Sequence, residues 1–284
     1  MVLDALPRTP HGSAMPIERF TEAEQARLRE AGQVAAATLA WVGSQLCAGM
    51  STADIDALVR EDTRRRGGKP SQLGYHGFPA AVCTSVNDVV CHGIPSATLI
   101  LREGDLVNVD VTTLLDGFHG DTSATFPIGR VAPEVELLLT RARACRDVGI
   151  DQVGPDARLG DIGAAIATLA HSYGYSVVRE FGGHGIGRTM HADPHVPHVG
   201  HRGRGLRLRP GMALTIEPMI NVGSAGIALD GDGWTVRTAD GSLSAQFEHT
   251  ILVTETGHEV LTLPPATLAQ APIQAQTNQP LSCG

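Results

Sequence analysis

The chain has 284 residues, of which 42% are hydrophobic and 18% are charged, a composition typical of a globular protein rather than a disordered or fibrous one. Its 22 Lys and Arg against 30 Asp and Glu leave a net charge of −8 at pH 7. General binding to nucleic acid or acidic membranes needs a basic field. We therefore expect a small-molecule or peptide partner, no DNA and no membrane.

The cysteines and the N-terminal residues bear on the cellular compartment. The five cysteines are odd in number and form no C-x-x-C pair, so neither a disulfide framework nor a zinc knuckle is indicated. Residues 1–16 lack the apolar segment of a signal peptide. The uncharged stretch 31–53 is too rich in alanine and polar residues to cross a membrane. We predict a cytoplasmic protein.

The two ends of the chain differ from its middle. Residues 1–17 hold three prolines and no periodicity, and residues 264–284 are rich in Pro, Gln and Ala. Both segments are predicted to be flexible. The remaining residues, 18–263, are long enough to bury a core of their own, so we predict a single folded domain there.

The first helix has a sequence signal at its start. Thr21 followed by Glu24 has the spacing of a capping box, in which the two residues satisfy each other's free backbone N–H groups. We predict a helix that begins at Glu22, continues into the uncharged stretch and ends near Gly43 or Gly49.

A second helix is predicted over residues 52–66. It ends in Arg64, Arg65 and Arg66, followed by two glycines. Cations at the negative end of the helix dipole and a glycine stop are typical of a helix C-terminus. Docking of this basic run to RNA or to the ribosome is the alternative interpretation.

An internal repeat indicates two related halves. Residues 101–110 match residues 208–217 in the pattern L-R-x-G-x-x-[VL]-x-[VI]-[DE], at an offset of 107. The same offset carries Asp54 onto Asp161, each at the start of an apolar helical pattern. A duplicated α+β unit needs an antiparallel sheet to join its halves, with helices covering one face. Such pseudo-symmetry would bring the acidic residues that end the two segments to equivalent places.

A predicted β-hairpin brings two aspartates together. Residues 107–112 alternate between valine and polar side chains, which puts Asp110 on the polar face of a strand. Asp116-Gly117 is a hairpin turn signal, and a two-residue loop would pair Asp110 with Ser123 and leave Asp121 as a diagonal neighbour on the same face. A three-residue loop would reverse the face. In the first register the two aspartates can share one or two cations.

Three more residues extend this candidate metal site. Glu217 ends a strand-like segment, Glu248 lies in the strand-like segment 244–253, and His184 lies in a glycine-rich turn that exposes its imidazole. Carboxylates within apolar strands are costly unless they are paired or metal-bound. Oxygen ligands with one nitrogen favour Mn²⁺, Fe²⁺ or Co²⁺, with Zn²⁺ also possible, and four carboxylates favour two metals over one.

Short motifs carry a family resemblance along most of the chain. They are Tyr75-His76-Gly77-Phe78-Pro79, Asn87 with Cys91-His92-Gly93-Ile94-Pro95, Val109-Asp110-Val111-Thr112, Asp116-Gly117-Phe118-His119-Gly120-Asp121-Thr122, Gly183-His184-Gly185-Ile186-Gly187, Met190-His191, Thr215-Ile216-Glu217-Pro218 and Glu248-His249-Thr250. Together they resemble the type I methionine aminopeptidases. The resemblance implies the pita-bread fold, an α+β fold of two pseudo-symmetric halves with a central antiparallel sheet covered by helices, and a dinuclear metal site.

The resemblance also implies a role for each matched position. The metal ligands would be Asp110, Asp121, His184, Glu217 and Glu248. The catalytic residues would be His92, His191 and Glu217. A monovalent cation would lie at Asn87, Val89 and Ser244. The substrate pocket would be formed by Tyr75, Phe78, Cys83, His92, Met190, His191, Met219 and Trp234.

The implied function is removal of the N-terminal methionine from proteins and peptides whose second residue is small. The implied partners are nascent polypeptides and, transiently, the ribosome, and the implied state is a monomer. The sequence departs from the family at Met190, where Phe is usual, at Phe78, where many members have Tyr, and at Gln72, where some have Cys. These departures affect the expected specificity rather than the reaction.

Two other interpretations remain open at this point. A proline-specific aminopeptidase or dipeptidase of the same fold could share all five metal ligands, although such enzymes generally carry a long N-terminal domain. A catalytically inactive pita-bread protein that binds peptides or other proteins is the second alternative, and the intact set of ligands argues against it.

Overall fold

Residues 17–264 form four α-helices and a set of antiparallel strands. The fold comes from a computed structural model that describes these residues, so the predicted flexible ends lie outside the described residues except for Ile17 and Pro264. The helices are α1 (Glu22–Gly43), α2 (Thr52–Arg65), α3 (Pro133–Ile150) and α4 (Leu159–Ser172). The strands before α3 are β1 (Lys69–Pro70), β2 (Cys83–Val86), β3 (Val89–Cys91), β4 (Leu106–Leu115) and β5 (Phe118–Pro127). The strands after α4 are β6 (Ser176–Val177), β7 (Gly183–Gly185), β8 (Ala192–Val196), β9 (Ala213–Ile216), β10 (Met219–Asn221), β11 (Ile227–Leu229), β12 (Val236–Thr238), β13 (Ser244–Gln246), β14 (His249–Val253) and β15 (His258–Val260).

Helix α1 begins and ends where its sequence signals predict. The backbone N–H and the hydroxyl of Thr21 donate to the carboxylate of Glu24 at 2.8 and 2.9 Å, and the helix begins at Glu22. It ends at Gly43. The predicted boundaries of this helix are confirmed. None of the helices in residues 17–264 is both long and apolar enough to pass through a membrane.

Helix α2 ends one residue before its predicted limit. Arg65 and Arg66 both bind the carboxylate of Asp62, which is fully buried, and the Arg65 guanidinium lies 5.4 Å from the ring centre of Trp41. These contacts satisfy a buried acid and tie the helix end to α1. Two of the three arginines in the basic run therefore stabilise the fold, which favours the helix-terminus interpretation over a docking patch.

The offset of 107 recurs in the structure. Helices α2 and α4 each have 14 residues, with start and end points 107 apart, and α1 and α3 end 107 apart. Three backbone hydrogen bonds near the start of α2 also recur near the start of α4. The N–H of Gly49 donates to the carbonyl of Leu101, as Asp156 does to Leu208. The N–H of Leu101 donates to the carbonyl of Met50, as Leu208 does to Ala157. The N–H of Thr52 donates to the carbonyl of Leu99, as Leu159 does to Leu206. The predicted duplication is thus visible in the backbone itself.

Every strand pair is antiparallel. Strand β4 lies between β5 on one side and β2 and β1 on the other, and the second half contains the order β15-β14-β9-β7-β8. Two three-stranded sheets, β13-β10-β6 and β11-β12-β3, complete the layer. Helices α1 and α2 pack on the valines of β4, and α3 and α4 pack on the apolar side chains of the second half. The predicted α+β fold is confirmed.

Side-chain hydroxyls join the two halves between β5 and β14. The Thr250 hydroxyl donates to the Asp121 carbonyl at 2.8 Å and accepts from the Asp121 N–H at 3.1 Å. The Thr122 hydroxyl donates to the Glu248 carbonyl at 2.9 Å. Two candidate metal ligands therefore lie on the seam between the halves.

Glycine allows α1 to lie directly against β5. A Cβ on Gly120 would fall 2.4 Å from the backbone nitrogen of Gly32 and 2.5 Å from the carbonyl carbon of Ala31. Non-bonded heavy atoms do not approach a Cβ this closely, so a side chain at Gly120 would push the helix away from the hairpin. The hairpin that carries two candidate ligands depends on this contact for its support.

We expect Gly120→Ala to lower the free energy of unfolding by about 3 kcal/mol, because overpacking against backbone cannot be relieved by a side-chain rotation. The control is Gly154→Ala, whose Cβ would have its nearest neighbour at 3.8 Å. Urea unfolding of both variants checks the difference. Equal stability of the two variants would contradict the close packing of α1 on β5.

Candidate metal centre and cleft

The first two candidate ligands extend from the β4–β5 hairpin. Asp110 stands opposite Ser123 and Thr112 stands opposite Asp121, which is the register predicted from a two-residue turn. The Thr112 hydroxyl donates to Oδ1 of Asp121 at 2.8 Å. Nε2 of Gln72 donates to the backbone oxygen of Asp110 at 2.8 Å and to its Oδ1 at 3.2 Å. Each carboxylate thus has a neutral donor that fixes its orientation.

The next two candidates, Glu217 and Glu248, lie at a break between strands. Strand β9 pairs with β14 and β10 pairs with β13 in one continuous register, in which Glu217 stands opposite Glu248. Pro218 has no N–H to give to this ladder, and the Glu248 N–H donates instead to the carbonyl of Ser123 at 2.9 Å. The segment predicted as one strand over 244–253 is therefore two strands. The break brings the two glutamates to the hairpin aspartates.

The fifth candidate, His184, lies on β7 with one ring nitrogen directed at the carboxylates. Its Nδ1 is 3.0 Å from the carbonyl of Gly185, and this contact requires the proton on Nδ1. Nε2 is then left with its lone pair, 3.7 Å from Oδ2 of Asp121 and 3.5 Å from Oε1 of Glu217. A neutral imidazole in this tautomer is a metal ligand.

These side chains form a buried cluster with unbalanced negative charge. Ligand atoms of Asp121, His184 and Glu248 all lie within 4.8 Å of one another. Burial raises the pKa of Asp121 to about 7, and burial and neighbouring carboxylates raise the pKa values of Asp110, Glu217 and Glu248 well above their usual range. Burial lowers the pKa of His184 to about 4, so the histidine supplies no positive charge.

The donor set suits divalent cations. Oε1 of Glu248 is buried and has no hydrogen-bond partner within the described part of the chain. Several buried carboxylates without a cationic partner are costly, and cations among them remove that cost. Carboxylate oxygens with one imidazole nitrogen match the preferences of divalent transition metals.

The predicted catalytic histidine His92 lies to one side of the cluster. Its backbone has φ 57°, in the left-handed region, and its ring centre is 5.4 Å from that of Phe181 and 6.5 Å from that of Trp234. Burial among these rings lowers the pKa of His92 to about 4. The imidazole is therefore neutral near pH 7 and has one donor and one acceptor nitrogen.

The second predicted catalytic histidine, His191, lies beside His184. Its ring centre is 4.3 Å from that of His184 and 5.0 Å from that of Tyr75. His191 is exposed as a residue, although its ring is partly withdrawn from water beside His184 and Tyr75. This burial, with the nearby histidines, lowers its pKa, so the ring is neutral and able to donate one proton.

The predicted pocket residues do not form one cluster. Phe78 and Cys83 are buried in one apolar cluster with Trp234, whose ring centre is 5.1 Å from that of Phe78. Met219 lies in a separate cluster, and Met190 is buried without joining either cluster. A cavity of about 260 Å³ lies at the turn between β4 and β5, and none of the predicted pocket residues lines it.

The predicted monovalent-cation residues lie near one another at a strand junction. The N–H of Ser244 donates to the carbonyl of Asn87 at 3.0 Å, and Val89 begins β3 two residues later. The side-chain oxygen of Asn87 accepts the N–H of Leu106 at 2.9 Å, while its amide donates to Asp105 at 2.9 Å. The side chain of Asn87 is therefore engaged in contacts within the fold. The buried Ser244 hydroxyl has no hydrogen-bond partner among the described residues, so it and nearby backbone oxygens are the groups that could bind a cation there.

Several contacts of the cluster were not predicted as site residues. The Glu217 N–H donates to Nε2 of the buried His198 at 3.2 Å, and the Thr215 hydroxyl donates to Oε1 of Glu217 at 2.7 Å. Strand alternation could have indicated Thr215 and Thr112, since each shares a face with a candidate carboxylate. Nothing in the sequence pattern points to Phe181, because its contact with His92 is long-range.

Comparison with known proteins identifies the family. A model of metallopeptidase family M24 matches residues 26–255. The chain belongs to metallopeptidase family M24. It is 48% identical over 247 residues to methionine aminopeptidase A of Synechocystis sp., covering 87% of this chain and 98% of the relative. It is 44% identical over 250 residues to the methionine aminopeptidase of Escherichia coli, covering 88% and 95%.

Solved structures of similar proteins have the same fold. The crystal structure of methionine aminopeptidase from Rickettsia prowazekii superposes with a TM-score of 0.86 at 45% identity, covering 87% of this chain and 100% of that one. The M24 family is one of metallopeptidases. Membership and the buried carboxylate cluster together support the use of divalent metal by this chain.

Metal binding should release protons. Because their pKa values are raised, the buried carboxylates of the metal-free protein take up protons more readily than ordinary carboxylates do, and a metal binds only the deprotonated form. Calorimetric titration with Mn²⁺ in two buffers of different ionisation enthalpy measures the release. Less should be released at pH 8 than at pH 6, because Asp121, with a pKa of about 7, is then largely ionised beforehand. Heats that do not depend on the buffer would contradict the protonated cluster.

Proposed function

We propose that this protein removes the N-terminal methionine from peptides and proteins whose second residue is small. The observation that carries the proposal is the set of four carboxylates and His184 in a chain of family M24. The ring centre of His191 lies 4.3 Å from that of His184. The names of its similar relatives support methionine as the substrate residue.

The proposed cofactors are two divalent ions, of Mn, Fe, Co or Zn. The residues that would hold them are Asp110, Asp121, His184, Glu217 and Glu248, with Asp121 and Glu248 shared between the ions. When bound, such ions lower the pKa of water towards neutrality and so provide a nucleophile at pH 7. Four carboxylates exceed the need of a single ion, which supports the dinuclear form.

Glu217 is proposed to move the protons of the reaction. Burial and nearby Asp121 raise its pKa in the metal-free protein, and bound cations would favour the ionised carboxylate that a proton acceptor requires. Its Oε1 accepts from Thr215 and its Oε2 accepts from Gln246 at 3.1 Å, so both oxygens are oriented. Glu217 can accept a proton from the attacking water and pass it to the leaving amine.

The two neutral histidines are proposed to bind the peptide unit that is cleaved. His191 can donate to the carbonyl oxygen as negative charge develops on it, which stabilises the transition state more than the bound substrate. His92, held by Phe181 and Trp234, can position the scissile amide. Because burial lowers the pKa of both rings, each keeps one N–H donor across neutral pH.

The proposed side-chain pocket is apolar and contains aromatic rings and sulfur. Phe78, Cys83 and Trp234 pack together, and burial raises the pKa of the Cys83 thiol, so the thiol stays neutral. A flexible thioether suits such a surface. Tyr75, Met190 and Met219 complete the proposed lining.

Several further features belong to this proposal. We place a monovalent cation at Asn87, Val89 and Ser244, and we take residues 18–263 as one catalytic domain. The substrate would be the N-terminal methionine of nascent polypeptides, met in the cytoplasm by a monomer during transient contact with the ribosome. The cation site, the nascent substrate, the monomeric state and the ribosome contact follow from the resemblance to the type I enzymes, whereas the location and the domain bounds follow from the composition of the chain.

A peptide series tests the substrate. Met-Ala-Ser should lose methionine, Met-Phe-Ser should be spared because a large second residue prevents the productive pose, and EDTA should abolish cleavage. Mass spectrometry of the products is the measurement. Faster release of alanine from Ala-Pro-Ser would instead identify a proline-specific enzyme. Metal binding without any cleavage would identify a peptide-binding protein.

His191→Ala should lower kcat by two to three orders of magnitude and change KM by much less, since loss of an oxyanion donor costs about 2.7–4 kcal/mol in the transition state. The control is His171→Ala, an exposed histidine on α4. Steady-state kinetics on Met-Ala-Ser gives both constants. A change confined to KM would assign His191 to substrate binding alone.

A further inference from the structure

The edge of β4 has a gap beside the candidate ligands. Strand β2 pairs with β4 as far as Asp110, and β1 pairs with it from Thr113 onward. Neither strand places a residue opposite Val111 or Thr112. Backbone groups in a buried strand need partners, so something else must bind β4 at this point.

The side chain of Gln72 fills this gap. Its Nε2 donates to the backbone oxygen of Asp110 at 2.8 Å, and its Oε1 accepts the N–H of Thr112 at 3.3 Å. The preceding residue, Ser71, donates its N–H to the carbonyl of Thr112 at 2.9 Å. Only 6% of Gln72 is exposed. Its carboxamide therefore takes the place of a backbone peptide group at the edge of β4.

The same amide also holds the side chain of Asp110. Nε2 lies 3.2 Å from Oδ1, which fixes the plane of the carboxylate. Thr112 and Thr215 donate to Asp121 and Glu217 in the same manner. Each of these supporting donors is uncharged, so it orients an acid without placing a competing cation in the cluster.

We propose that Gln72 is a positioning residue that pre-orients Asp110 for metal binding and thereby sets the metal affinity of the centre. This inference rests on the proposed function only in taking Asp110 as a metal ligand. Groups that orient metal ligands typically contribute tenfold to a hundredfold to affinity. Gln72 acts through Asp110 and makes no contact with the reaction in this proposal.

The test is Gln72→Met, which keeps the volume and removes both hydrogen-bonding atoms. The control is Gln33→Met, at an exposed glutamine whose amide also donates to a backbone carbonyl, that of Leu261, at 3.0 Å, and makes no hydrogen bond to a candidate ligand among the described residues. Calorimetric and visible-absorption titrations with Co²⁺ give the dissociation constants. Urea unfolding of the metal-free proteins shows whether each variant is folded.

We expect Gln72→Met to weaken Co²⁺ binding at least tenfold, because the Asp110 carboxylate loses the amide that orients it. Gln33→Met should bind Co²⁺ as the wild type does. Gln72→Ala, which leaves room for water, is the second variant if methionine is not accommodated. Failure of both to fold, while Gln33→Met folds, would make Gln72 purely structural and overturn the proposal.

Other outcomes separate this inference from the proposed function. Unchanged Co²⁺ affinity with a raised KM would make Gln72 a pocket residue and overturn the inference alone. Wild-type protein that binds Co²⁺ tightly but cleaves no methionyl peptide would overturn the proposed function alone, with the effect of Gln72→Met on affinity still expected. Wild-type protein that binds no Co²⁺ would overturn both.

Discussion

The repulsion among four buried carboxylates is the constraint around which the candidate site is built. Asp110, Asp121, Glu217 and Glu248 lie in a low-dielectric interior without a lysine or arginine among their described hydrogen-bond partners, and His184 is held neutral. Such a cluster is tolerated when protons or cations neutralise it. Burial and charge therefore favour the use of divalent metal by this chain, in agreement with its membership of family M24.

Rigid backbone support allows the fold to keep these acids together. The aspartates lie on a long hairpin that packs directly on the backbone of α1, and the glutamates lie opposite each other where Pro218 interrupts a ladder. Neutral side-chain donors orient three of the carboxylates. The donors are Gln72 for Asp110, Thr112 for Asp121 and Thr215 for Glu217. Because none of these donors is charged, the negative potential of the centre stays available for cations.

The duplicated architecture explains why the site lies on the seam. Asp110 and Glu217 end the two copies of the repeated segment, 107 residues apart, and the opening of each copy makes equivalent backbone hydrogen bonds near the start of α2 or α4. Hydrogen bonds between Thr250 and Asp121 lock the halves together at that point. Neither half alone contains the cluster, so the metal centre and the union of the halves depend on one another.

Local signals in the amino-acid order were enough for the features that short-range physics governs. The capping residues predicted the start of α1, and the two-residue loop at Asp116-Gly117, one of the two loop lengths considered, predicted the pairing of Asp110 with Ser123, because hairpin register follows from loop length. The repeat and the motifs indicated the fold and the family. The ligand and catalytic roles remain predictions, since their residues were assigned by resemblance.

Long-range packing set what those signals left open. The interruption at Glu217 and Glu248 depends on which strand each backbone group meets, and the bonds of Gln72 exist because β1 and β2 leave part of the edge of β4 uncovered. The contact of His92 with Phe181 joins residues 89 positions apart in the chain. Spacing along the chain carries no information about such contacts, because they form only when separately specified elements pack in three dimensions.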